Sequence, residues 1–304
     1  MSHNHYGEFA ALFTAFCWTC TALVFEQASR KIGVMMVNLL RLFFAIFLLG
    51  LFLYFYRGLI LPVDANAETW FWLSLSGLVG FVIGDQLLFM AFVHVGSRVS
   101  MLMMSMVPPI TAFISYIFLG EVMSLKSLFG MILIIGGIAL VILQRTNNNP
   151  EKPKQNRIRF AYSLTGIIMA LGGAAGQASG LVISKYGMKD YDPFAACQIR
   201  VIAGFTGFSI LFSIFRKWNK VVESISNRPA MLFLIIGTIF GPFLGVSFSL
   251  ISIKHTSTGI ASTLMSIVPI LIIVPSVLIF KEKLKWKEVL GAFVAIIGIA
   301  LFFI

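Results

Sequence analysis

The chain has 304 residues, of which 59% are apolar and only 12% are charged. Soluble domains carry roughly a quarter charged residues, so this composition excludes an ordinary soluble fold and predicts an integral membrane protein. The net charge of +11 does not indicate nucleic acid binding, because the Lys and Arg residues form short clusters between apolar runs.

Ten apolar runs are long enough to cross a bilayer, which takes about 20 residues of helix. None alternates like a barrel strand, and the first lacks the basic start and the cleavage site of a signal peptide. We therefore predict an all-α membrane protein with ten transmembrane helices, at 7–27, 34–56, 70–93, 97–119, 127–143, 161–184, 194–215, 230–253, 257–280 and 286–304.

Cys17, Cys20 and Cys197 all lie inside these apolar runs. An odd number of cysteines outside the loops does not predict a disulfide framework, and the C-x-x-C at 17–20 lacks the flanking strands of a redox motif. We expect these cysteines to be packing residues, and the sequence indicates no cofactor and no metal site.

The chain contains an internal repeat. The run 104–121 holds Pro108 and ends in Glu121, and the run 265–282 repeats it, with Pro269 placed 161 residues after Pro108. This predicts two five-helix repeats, 1–143 and 161–304, joined by a polar, basic linker at 144–160. Because five is odd, the repeats should have inverted topology, with a substrate site between them near the midplane.

The basic residues predict an orientation. Sixteen Lys and Arg residues lie in or beside the loops on one side of the predicted helices, and five lie on the other. The positive-inside rule places the linker 144–160 in the cytoplasm and both chain termini outside.

Small residues predict close helix contacts. Glycines spaced by four residues occur in helices 3, 6 and 8 and let helix backbones approach each other. They are Gly80 and Gly84, Gly172, Gly176 and Gly180, and Gly241 and Gly245.

Prolines predict breaks in helices 4 and 9, because proline removes a helical hydrogen bond. Freed carbonyls, such as those of Met104, Ser105 and Met265, would then face a polar cavity or be satisfied by a neighbouring hydroxyl. Ser105 and Ser266 flank the breaks in the two repeats. The predicted kink or gate residues are Pro108, Pro109, Pro269 and Pro275.

Two charged residues, Arg41 and Asp85, lie at similar depth from the same membrane face. A charge inside the membrane costs at least ~2.5 kcal/mol unless it is paired or wet, so these two are candidate partners. Asp85 is either the partner in a structural ion pair or a carboxylate that exchanges a proton during transport.

Arg200 is a third membrane-embedded charge, and the position in helix 8 that corresponds to Asp85 is Val246. The Arg200 side chain has three possible partners: water and headgroups at the near membrane surface, which it would reach by extending along the helix; Glu121 at the end of helix 4; or an anionic group of a substrate.

Three pairs of residues at equivalent positions in the two repeats complete a candidate cavity of mixed polarity. They are Gln86 and Ser247, Trp18 and Gln177, and Met104 and Met265. Each residue taken singly is equally consistent with ordinary helix packing.

The chain resembles the drug/metabolite transporter superfamily, EamA branch. The resemblance rests on the two repeats, on F-C-W-T at 16–19, on an arginine early in helix 2, and on V-P at 107–108 followed by G-E at 120–121. The chain departs from the family pattern at Glu26, because a basic residue is common at the end of helix 1. Lys185 in the second repeat fits the pattern. The resemblance implies a carrier or exporter of amino acids, other metabolites or drugs, with a central cavity and alternating access.

We therefore expect a secondary active transporter of small metabolites, in the exporting direction and with proton coupling as one option. The alternatives are a flippase for a lipid or lipid-linked substrate, and an uncoupled uniporter or exchanger of an anionic metabolite. No catalytic motif predicts an enzyme. The expected partners are a small-molecule substrate and the lipid bilayer, in a monomer or homodimer in the bacterial inner membrane.

Overall fold

The computed structural model describes residues 5–146, 163–272, 275 and 286–301. Within them the chain is helical, without strands, and a helix begins near the start of every predicted span. Residues 147–160 of the predicted linker lie outside the described residues. The apolar helices are α1 Tyr6–Ile32, α2 Val34–Arg57, α3 Ala67–Ser97, α4 Val99–Leu119, α5 Leu125–Thr146, α6 Leu164–Met188, α7 Pro193–Ile214, α8 Arg228–His255, α9 Thr258–Leu271 and α10 Trp286–Ala300.

Seven of these helices, α1 to α4 and α6 to α8, are long and apolar enough to cross a membrane. The apolar part of α5 and the helices α9 and α10 are shorter within the described residues, so a count of ten membrane crossings stays a prediction. Large apolar side chains lie on the outer surface, among them Phe55, which is 80% exposed, and Phe113, which is 67% exposed. Such a surface fits contact with lipid rather than water.

Helices α3 and α8 each contain a π-helical segment, Leu78–Asp85 and Ile239–Gly245, at equivalent positions of the two repeats. The hydrophobic pattern did not predict these segments. A π-helical segment widens the helix and rotates the residues that follow it, and it occurs often at functional sites. Here the segments end at Asp85 and immediately before Val246.

Helices α3 and α6 pack backbone against backbone through the predicted glycines. A Cβ atom at Gly176 would lie 2.6 Å from Cα of Gly84, and one at Gly180 would lie 3.1 Å from Cα of Gly80. Only glycine allows this approach, which joins the first repeat to the second.

The last helices of the two repeats, α5 and α10, contact each other reciprocally. A Cβ atom at Gly137 would lie 2.5 Å from the carbonyl oxygen of Gly291, and one at Gly298 would lie 2.8 Å from that of Gly130. Gly130 and Gly137 correspond to Gly291 and Gly298 in the repeat. A contact and its image are thus both present, as in a two-fold symmetric interface.

Candidate functional site

A cavity of about 80 Å³ lies among eight helices, α1 to α4 and α6 to α9, and therefore between the two repeats. Its wall brings together nine of the residues predicted from the sequence: Trp18, Arg41, Asp85, Met104, Gln177, Arg200, Met265, Ser266 and Pro269. Six others do not line it: Gln86, Ser105, Pro108, Pro109, Ser247 and Pro275. The rest of the wall is mainly apolar and aromatic.

Asp85 and Arg41 form an ion pair in the cavity wall, as their equal depth predicted. Oδ2 of Asp85 accepts a hydrogen bond from Arg41, and Oδ1 accepts one from Nε2 of Gln177 at 2.8 Å. Both charged residues are buried. Gln177 belongs to α6, so this network links the first repeat to the second and occupies both carboxylate oxygens of Asp85.

Asn38 holds the other side of Arg41. Its Oδ1 accepts a hydrogen bond from Nε of Arg41 at 2.9 Å, and its Nδ2 donates to Oε1 of Gln86 at 3.0 Å. Gln86 therefore acts on the cavity through Asn38 rather than by lining it. Asn38 was not among the residues predicted from the sequence, although an amide three residues before a membrane-embedded arginine is a signal that could have identified it.

Aromatic rings surround the Arg41 guanidinium. Its Cζ lies 4.8 Å from the ring centroid of Phe89 and 5.5 Å from those of Phe25 and Phe81. Cations over aromatic faces are favourable in a dry environment. Arg41 is thus satisfied by a carboxylate, an amide and three rings.

Arg200 is buried in the wall with only 3% of its surface exposed. Its Cζ lies 5.1 Å from the ring centroid of Phe81, and a Cβ atom at Gly80 would lie 3.0 Å from Nη2. Its Nε has no hydrogen-bond partner. The glycines Gly77 and Gly80 leave room on α3 for the backbone and guanidinium of this arginine.

Two of the partners predicted for Arg200 are wrong. Its side chain does not reach the near surface, because it lies buried against α3. Glu121 instead binds Lys185, with 2.6 Å between Oε1 and Nζ. Lys185 lies near the end of α6 and Glu121 just after the end of α4, whereas Arg200 stands two turns inside α7.

The breaks predicted at the prolines are present in both repeats. A 3-10 turn at Met104–Met106 precedes Val107–Leu119, which carries Pro108 and Pro109 in its first turn, and Pro269 lies in the first turn of Val268–Leu271. Proline fits there because the first turn lacks a helical partner for its N–H. Pro275 is described, but its neighbours 273–274 and 276–280 lie outside the described residues, so a kink there stays a prediction.

The carbonyl of Met104 is not free, contrary to expectation. It accepts a hydrogen bond from the backbone N–H of Val107, because the chain tightens into a 3-10 turn at this point. Met104 and Met265 instead line the cavity with their side chains. Ser105 and Ser247 are buried outside the cavity wall.

The ion pair between Glu121 and Lys185 joins the repeats at the face where α4 and α6 end, which we call the Lys185 face. Nζ of Lys185 also donates a hydrogen bond to the carbonyl oxygen of Thr256 at 2.7 Å, and Oε2 of Glu121 accepts one from the backbone N–H of Thr258 at 2.8 Å. These contacts therefore connect the ends of α4, α6 and α8 with the start of α9.

A solved protein crystal structure has the same fold, with a TM-score of 0.73 over 97% of this chain and 96% of that chain, at 13% sequence identity. A comparison with curated proteins found no match.

A family model provides the assignment. The model described as EamA-like transporter family matches residues 5–143 and again residues 164–304, so both repeats fit it separately. These stretches contain the whole cavity wall and the ion pair of the Lys185 face. The chain belongs to the EamA-like transporter family.

Proposed function

We propose that this protein is a secondary transporter that moves small metabolites, such as amino acids or related solutes, across its membrane. The observation that carries the proposal is the cavity, because helices of both repeats wall it and it holds three buried charged residues, Arg41, Asp85 and Arg200. A charged side chain inside a membrane costs free energy, and such residues in membrane proteins commonly mark the pathway of a solute. Membership of a transporter family supports the same conclusion, and the resemblance implies a carrier or an exporter.

Alternating access is the proposed mechanism. The two repeats are taken to be inverted in the membrane, and the reciprocal contacts between α5 and α10 support a two-fold relation between them. In such an arrangement the repeats exchange conformations, which closes the cavity to one side and opens it to the other.

The ion pair of the Lys185 face is the proposed closure on that side. Glu121 and Lys185 belong to different repeats, and each also binds backbone at the junction of α8 and α9. A solute could pass this face only after these contacts separate. The broken helices α4 and α9 provide the proposed hinges, because a 3-10 segment interrupts α4 and a turn at 266–267 interrupts α9 beside the cavity.

The geometry favours the ion-pair role for Asp85 over proton coupling. Asp85 is the ion-pair partner of buried Arg41 and also accepts a hydrogen bond from Gln177, so a proton on Asp85 would leave the Arg41 guanidinium without its counter-charge. We therefore propose exchange or uniport, with Asp85 holding Arg41 in place.

A ligand screen followed by a flux assay tests the function. The purified protein would be heated in detergent with a library of metabolites, because a bound solute raises the melting temperature by mass action. Stabilising solutes would then be assayed for saturable counterflow in proteoliposomes, with protein-free vesicles as the control. We expect saturable flux. Scrambling of labelled lipid without flux of any solute would instead establish a flippase.

A further inference from the structure

The charges of the cavity wall do not balance. Within the described part of the chain, three charged side chains line the cavity: the cations Arg41 and Arg200 and the carboxylate Asp85. Asp85 pairs with Arg41, which leaves one positive charge uncompensated in the wall.

Arg200 carries this unbalanced charge. Within the described residues it has neither a carboxylate at ion-pair distance nor a hydrogen-bond acceptor, and its Nε is buried without a partner. Its guanidinium lies over the ring of Phe81. A buried, unpaired guanidinium is unfavourable, whereas its planar fork binds a carboxylate through two hydrogen bonds.

We infer that Arg200 binds the carboxylate of a small, net-anionic solute with an apolar body. The inference rests on the proposed transport function only in naming this solute as cargo. An anion in the cavity would neutralise Arg200 and bring the net charge of the wall and its ligand to zero. This compensation is absent for a neutral solute.

The same balance discriminates against a zwitterionic amino acid. Its carboxylate would pair with Arg200, but among the described residues of the wall its ammonium group would find no uncompensated carboxylate, because Arg41 already neutralises Asp85. One positive charge would remain uncompensated in the cavity. The proposed cargo therefore narrows from amino acids and related solutes to carboxylic acids without an amino group.

The remaining wall determines the body of the ligand. Phe25, Phe89, Phe92, Leu88 and Met101 contribute apolar surface. The hydroxyl groups of the wall, on Thr21, Ser249, Ser262 and Ser266, already donate to nearby backbone carbonyl oxygens. A short-chain carboxylate fits this polarity, with its charged group at Arg200 and its carbon atoms against the apolar part of the wall.

Three probes of one skeleton test the inference: butyrate, butyramide and 2-aminobutyrate. They differ in charge, being anionic, neutral and zwitterionic, while sharing the same carbon chain. We expect butyrate to raise the melting temperature of the purified full chain and butyramide to leave it unchanged. We expect 2-aminobutyrate to bind about tenfold more weakly than butyrate.

Variants identify the arginine responsible. Arg200→Gln should weaken butyrate binding by about tenfold or more and remove the preference over butyramide. The matched change Arg228→Gln, at an exposed arginine on the surface, should preserve both. Should Arg200→Gln fail to fold, the comparison of the three probes on the unchanged chain still decides, together with Arg200→Lys, which keeps the charge but loses the fork.

The outcomes separate this inference from the transport proposal. Equal binding of butyrate and butyramide, a preference for 2-aminobutyrate, or butyrate binding that survives Arg200→Gln would each overturn the anion site. Saturable counterflow of other solutes with no binding of butyrate would preserve transport and refute the anion site. Arg200-dependent butyrate binding without flux of any solute would preserve the site and refute transport.

Discussion

The ion pair between Arg41 and Asp85 joins two residues that the membrane would tolerate only together. Asp85→Asn keeps the size of the side chain but leaves Arg41 as a buried, unpaired cation. We expect a loss of about 3–5 kcal/mol in stability, seen as a lower melting temperature in detergent. The double change with Arg41→Gln should recover most of this loss, because no charge is then left unpaired.

The alternative role for Asp85 gives a different pattern. A coupling carboxylate would leave Asp85→Asn folded and able to bind solute, but unable to accumulate it in response to a pH gradient. Unchanged stability combined with loss of gradient-driven flux would therefore contradict the ion-pair role.

A second residue-scale prediction concerns Asp64, in the loop between α2 and α3. Burial alone would raise its pKa, but hydrogen bonds from Tyr191 and Arg57 outweigh this effect and hold the pKa of Asp64 below its ordinary value. Its contribution to stability is therefore present above about pH 4, the pKa of an unfolded aspartate, and is lost as the pH falls below that value.

Melting temperatures of Asp64→Asn and the unchanged chain test this assignment across pH. We expect the variant to be less stable at pH 7 and the difference to shrink as the pH falls below about 4. Asp190→Asn, at an exposed aspartate in the loop after α6, is the control and should show a much smaller difference. A difference that stays constant down to pH 3 would refute the proposed pairing.

At the scale of helices, glycines determine how closely the repeats pack. A Cβ atom at Gly176 would meet the backbone of Gly84, which cannot move aside as a side chain can. Gly176→Ala should therefore destabilise the protein by about 1–3 kcal/mol, measured by thermal unfolding in detergent.

Gly136 in α5 provides the matched control. A Cβ atom there would meet nothing within 4 Å, so Gly136→Ala should be neutral or stabilising, because alanine favours a helix over glycine by about 1 kcal/mol. Equal effects at the two positions would show that the contact between α3 and α6 is looser than described.

The sequence predicted the positions of the helices better than it predicted the contacts between them. Apolar runs located the helices, and the spacing of Pro108 and Pro269 located both breaks, because each signal is local in the chain. The π-helical segments have no such signal. The partner of Lys185 and the burial of Arg200 depend on how the two repeats meet, which no single run of residues specifies.

The candidate site was predictable in part for the same reason. The depth of Arg41 and Asp85 within their helices was enough to predict their pairing, since both lie in the first repeat. The bond from Gln177 to Asp85 crosses between repeats and could not be derived from depth. Asn38 could have been predicted, because it lies one turn before Arg41 on the same helix.

For the whole molecule, the distribution of basic residues predicts that the Lys185 face is external and that both chain termini lie outside. A reporter that is active only in the cytoplasm, fused after Ile304, should therefore be inactive, whereas the same reporter inserted into the linker 144–160 should be active. Activity after Ile304 would reverse the orientation without changing the fold.

The central claim is that the repeats must separate at the Lys185 face for a solute to pass. Glu121→Cys and Lys185→Cys, in a chain whose three native cysteines are replaced by serine, would place two thiols across this closure. Joining them with a short bifunctional thiol reagent should stop counterflow in proteoliposomes, whereas each single cysteine variant treated in the same way should remain active. Undiminished counterflow in the crosslinked protein would contradict alternating access through this face.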